Sequence, residues 1–202
     1  MTRITLGELK GAARDRGSRR PPPGSRGIPT PMPSAMSAVR RFHRDGPVLA
    51  REYLRQTFQR SDYWGPSGRP QPRAWADAIV NSFDTYIELA SSDDRPVLVG
   101  GVASDVQVGI NSIGVSVDIV ILDPGGYCAR HVLWDVPPLT LDDAQLQSAP
   151  IVAALQSELG EDRVVGVEVW HLRSGDTLFV ASGDAVARLP EVEVIVDGYL
   201  SA

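Results

Sequence analysis

Apolar and polar positions alternate with period two between residues 113 and 122. Val115, Val117, Ile119 and Ile121 are separated by Ser116, Asp118 and Val120. That pattern predicts a strand. Asp123-Pro124-Gly125-Gly126 is strong turn chemistry, and residues 127–136 then return antiparallel. Upstream, residues 97–108 read as a further strand with a bend at Gly100-Gly101. Asn111-Ser112 turns that strand into the next, so the sheet begins as an antiparallel three-strand meander. Leu146, Ile151, Ala154, Leu155 and Leu159 follow at helical spacing, and Gly160 supplies a stop. This helix crosses over to a strand holding Val164, Val165, Val167 and Val169. Ser174-Gly175-Asp176 then turns the chain into a closing hairpin with Leu178, Phe179 and Val180.

Helices dominate the first half. Trp75, Ile79, Phe83, Tyr86, Ile87 and Ala90 form one apolar stripe over residues 72–90, predicting a helix packed across the sheet. Residues 34–60 divide into two helices: Ser34 caps the first and Pro47 occupies the first turn of the second. Residues 6–14 suit a short helix, with Thr5 and Glu8 as a capping box. Residues 61–72 are a loop carrying Tyr63, Trp64 and Arg69, and residues 189–200 favour neither helix nor strand. The fold class expected is α/β in the broad sense (α+β): a mixed central sheet with a three-strand meander, a crossover helix and flanking helices.

Charge divides the chain. Residues 1–44 hold ten of the twenty Lys and Arg residues but only two of the twenty-five acids, a formal +8. The remainder carries −13. Residues 16–33 are rich in Pro, Gly and Arg, a composition that keeps a chain extended. Residues 1–33 are therefore expected to be a basic flexible tail, and residues 34–202 a single globular domain. Arg16, Arg19, Arg20 and Arg26 are the candidate contacts to nucleic-acid phosphates. The body, by contrast, repels such a backbone. No run approaches the roughly 18 apolar residues needed to span a bilayer, so no membrane partner is expected. Cys128 is the only cysteine, which excludes a disulfide framework and fits a cytoplasmic setting.

Two carboxylates stand out. Asp118 lies within one strand of the hairpin and Asp135 at the end of the next. If they converge, such a pair can hold a divalent cation that polarises a phosphate and activates water. The plainer expectation is a solvent-facing strand residue and a strand-end residue. Glu168 and Glu88 are auxiliary candidates, and the plainer reading of His43 is a surface or packing histidine. Arg130, Arg173 or Trp64, if exposed around the acids, would favour nucleic-acid chemistry. Other chemistries lack their motifs: there is no phosphate-binding G-x-x-x-x-G-K-[ST] loop, no G-x-G-x-x-G fingerprint and no G-x-S-x-G elbow. Cys128 and His131 are three apart, which on a strand places them on opposite faces.

The order of hairpin with acid, second acid, helix, strand and hairpin over about residues 75–182 resembles the nuclease core of the RecB-like branch of the PD-(D/E)XK superfamily. The resemblance implies a restriction-endonuclease-like sheet with Asp118 as first acid and Asp135 as second. It places the lysine of that family two residues after Asp135, where this chain has Pro137; Lys10 is its only lysine. The family's glutamine signature is also altered, since Gln147 is followed by Ile151 rather than an aromatic residue. What the resemblance implies is a degenerate, non-catalytic nuclease-like module, a binding or scaffold subunit of a larger assembly with a protein partner and no cofactor. One alternative is an Mg- or Mn-dependent nuclease with an altered site, its metal on Asp118 and Asp135. The other is an unrelated α+β interaction protein.

Overall fold

The computed structural model describes residues 2–14, 32–59, 73–134 and 140–201. In chain order the elements are β1 (Arg3–Thr5), α1 (Leu6–Arg14), α2 (Met32–Asp45), α3 (Pro47–Gln59), α4 (Arg73–Ser91), β2 (Val97–Val108), β3 (Asn111–Asp123) and β4 (Gly126–Leu133). After them come α5 (Leu141–Leu159), a 3-10 turn (Glu161–Arg163), β5 (Val164–His171), β6 (Asp176–Ala181), α6 (Ser182–Val186) and α7 (Leu189–Ser201). The result is an α+β fold with a mixed, open six-stranded sheet.

β2, β3 and β4 form the expected antiparallel meander. α5 then crosses over, so that β5 runs parallel to β4, and β6 closes the sheet antiparallel to β5. Thr140 caps α5 by accepting from the Asp143 amide, and Gly160 ends it at φ 99°. Two cores form. One packs sheet residues such as Val115, Val120 and Val167 against α1, α5 and α7. The other packs Ile119, Ile121, Cys128, Val132 and Trp170 against α2, α3 and α4.

β3 touches both cores. Ile113, Val115 and Val117 belong to the first, and Ile119 and Ile121 to the second. The change of side coincides with a β-bulge. Val99 pairs with Ile119 and Val102 with Val117, so Gly100 and Gly101 together oppose Asp118. Gly101 has φ +59°, and a Cβ there would lie 1.7 Å from the Val117 carbonyl oxygen. Only glycine fits. The bend read at Gly100-Gly101 is thus real. The β2–β3 turn, however, falls at residues 109–110, because Asn111 already belongs to β3.

The expected flexible tail of residues 1–33 is corrected at its start. β1 pairs in parallel with β3, Arg3 to Ser112 through Thr5 to Gly114. Ile4 and Leu9 are fully buried in the first core, and the Thr5–Glu8 capping box forms as expected. This short apolar segment is stabilised by pairing with β3 and by packing against α7. Residues 15–31, with Arg16, Arg19, Arg20 and Arg26, lie outside the described residues, as do Tyr63, Trp64 and Arg69.

α7 is the other gain over the sequence. Its β-branched run imitates a strand, yet Val192 and Val196, four apart, are fully buried, and Asn111 Nδ2 donates to Asp197 across 2.9 Å. Tertiary packing overrides local propensity here. Among the described residues no helix is long and apolar enough to cross a membrane.

Two substitutions test this architecture. Ile4→Ala is expected to cost about 3 kcal/mol in urea unfolding, as for a buried core residue; a near-zero cost would return residues 3–14 to the tail. Gly101→Ala is expected to cost about 2 kcal/mol or more, while Gly183→Ala, where a Cβ meets open space, leaves stability nearly unchanged.

Candidate functional site

Charged side chains converge where the α4–β2 connection meets the middle of the sheet. Arg130 on β4 and Glu168 on β5 are register partners, and both point to the α2–α4 side of the sheet. Arg130 is fully covered and its guanidinium lies 3.6 Å from the centroid of the Trp170 ring. A charge this deep requires partners. Arg130 Nε and Nη2 donate to Glu168 Oε2 at 3.2 and 3.0 Å, and Nη2 also bonds to Asp93. Its Nη1 finds no hydrogen-bond partner among the described residues.

Arg95 completes the arrangement. It grips Asp93 with two parallel bonds of 2.8 Å, reaches Glu168 Oε1 at 2.5 Å and Asp123 at 3.1 Å. Asp93, Arg95, Glu168 and Arg130 therefore form a closed ring of alternating charge. Hydrogen bonds from Arg95, with Arg130 assisting, hold the Asp93 carboxyl well below the usual carboxylate range. The same bonds to Asp93 and Glu168 raise the Arg95 guanidinium above its ordinary value.

Beside the ring, His43 on α2 and Tyr86 on α4 share a 2.6 Å hydrogen bond. Burial, helped by the positive charge of Arg130, lowers His43 from 6.5 to about 4. Burial pushes Tyr86 up to about 12. The pair is thus neutral at physiological pH, and His43 acts as a packing residue between helices.

Asp118 sits at the bulge, and its carboxylate is bound by Arg40 of α2. Asp135, its expected companion, lies outside the described residues, as does Pro137. Glu168 belongs to the ring. Glu88 is exposed on α4, and the neighbouring Asp84 pairs with Arg51 at 2.6 Å. Arg173 is exposed, whereas Arg130 is buried and so does not form the exposed basic surface considered above. Cys128 packs in the second core, where burial pushes its thiol up to about 12.

The described carboxylates do not fit a divalent cation as they stand. Both oxygens of Asp93 and of Glu168 accept guanidinium hydrogen bonds, and Oδ1 of Asp118 accepts one from Arg40. Among the described residues no three His, Cys, Asp or Glu side chains gather around one point.

Sequence reasoning found Asp118 and named Arg130 and Glu168 only as accessories. It missed Asp93 and Arg95. A usable signal was present: Arg130 and Glu168 each interrupt an otherwise apolar inner strand, and charges there must pair. Neither a protein-family model nor a curated protein matches this chain.

The pH dependence of stability follows from these shifts. His43 takes a proton near 6.5 in the unfolded chain but only near 4 in the folded one. Between those values the unfolded chain holds the extra proton, so stability falls as pH drops. At lower pH the depressed Asp93 adds a further loss, because its contribution is present above the ordinary carboxylate range and disappears below it. His43→Gln should flatten the urea midpoint between pH 6.5 and 4 and leave the acid limb intact. An unchanged slope in the variant would remove His43 from this role.

Proposed function

We propose that the chain is a non-catalytic, PD-(D/E)XK nuclease-like module that serves as a binding or scaffold subunit of a larger assembly. The observation that carries this reading is the bond between Arg40 and Asp118. The residue matching the first acid of such nucleases is engaged by a cation of the chain's own, and an arginine is a poor substitute for the family's proton-transferring lysine. The meander, crossover helix and closing hairpin support the reading because they occur in the expected order. Pro137 and the lack of any lysine beyond Lys10 support it further.

The acidic body favours a protein partner over bare nucleic acid, whose backbone it repels. Nucleic acid would then be approached through the basic segment that holds Arg16, Arg19, Arg20 and Arg26.

Incubation of the purified chain with labelled single- and double-stranded DNA in Mn²⁺, with Asp118→Ala alongside, tests this directly. Intact DNA in both samples is the expected result. Cleavage by the wild type that vanishes in the variant would overturn the non-catalytic reading and restore a metal-dependent nuclease with an altered site.

A further inference from the structure

A cavity of about 760 Å³ opens between α2 and the bulged start of β2. Its charged lining consists of Arg40, Arg44, Arg95 and Arg130 against the single acid Asp93. His43, also in the lining, adds no charge at neutral pH because burial lowers it to about 4. Phe42, Val97 and Val99 supply an apolar wall.

The four arginines differ in freedom. Arg95 and Arg130 are fixed by the ring, and their charge is balanced there by Asp93 and Glu168. Arg40 and Arg44 are one helical turn apart, so they share a face of α2. Their side chains are 49% and 69% exposed. Their present partners, Asp118 and Asp45, stand outside the cavity lining. Exposed ion pairs of this kind contribute little to stability. Arg44 can therefore exchange Asp45 for a ligand that offers a better acceptor, and Arg40 can keep Nη2 on Asp118 while it offers its other N–H donors.

The acceptor that suits two guanidinium forks is a phosphate dianion, whose three terminal oxygens accept paired N–H donors. The cavity has the size of a small-molecule site, with room for an attached body against the apolar wall. We infer that this cavity binds a small phosphate monoester on a planar or apolar body, held by Arg40 and Arg44 beside the charge-balanced ring. The inference rests on the reading above in one respect: the ligand is held and not hydrolysed.

The test is isothermal titration of the full chain with adenosine 5′-monophosphate, with adenosine, inorganic phosphate and a short oligothymidylate as comparison ligands. Saturable binding of the monophosphate, displacement by inorganic phosphate and no binding of adenosine are expected. Arg44→Gln should weaken binding, and Arg40→Gln with Arg44→Gln should weaken it about tenfold or more. Both side chains are exposed enough for the variants to fold, which circular dichroism checks. Absence of saturable binding, equal binding of adenosine, or an unaltered double variant would each overturn the inference. Oligothymidylate binding that the monophosphate does not displace would overturn the small-ligand class in favour of a nucleic-acid strand. Release of inorganic phosphate from the monophosphate, measured separately, would leave the site standing but overturn the non-catalytic reading.

Discussion

Arg130 is a full positive charge whose side chain is covered by its neighbours. Everything near it is arranged to answer that charge. Glu168 lies beside it in the sheet, Asp93 descends from the α4–β2 connection, and Trp170 offers its ring face. Arg95 then binds the far sides of both acids. Leaving one member of such a buried set without its partner costs about 3–5 kcal/mol, a large share of the stability of a domain this size. The ring thereby fixes where the chain leaves α4 and enters β2, and so fixes the cleft between α2 and the sheet.

The same pairing bears on function. A carboxylate that already accepts two or three guanidinium hydrogen bonds is a poor ligand for a hydrated cation. Asp93 and Glu168 are in that condition inside the ring, and Asp118 has one oxygen taken by Arg40. The bulge at Gly100-Gly101 matters because it sets Asp118 where β3 passes from one core to the other, within reach of α2.

Much of the scaffold was legible in the pattern of residues. The meander, the α5 crossover, β5 and the α4 stripe all follow from periodicity, because each buries a face of its own sequence. β1 and α7 did not. β1 is three residues long and depends on β3, more than a hundred positions away. α7 has strand-like residues that packing against α1 and α5 holds in a helix. The site was legible only in part for a related reason. Asp93 meets Arg130 across thirty-seven positions and Arg95 meets Glu168 across seventy-three, and no local rule joins them. Asp118 was visible as a charge in a strand, but the arginine that answers it is on a helix seventy-eight positions earlier.

The most direct measurement is a Mn²⁺ titration of the isotope-labelled chain, following paramagnetic broadening of the amide signals of Asp118, Asp93 and Glu168 by NMR. Carboxylates held by Arg40, Arg95 and Arg130 should show only the weak, unsaturable broadening of any exposed acid. Saturable broadening centred on Asp118, abolished by Asp118→Asn, would contradict the view that arginines hold the acids of this site.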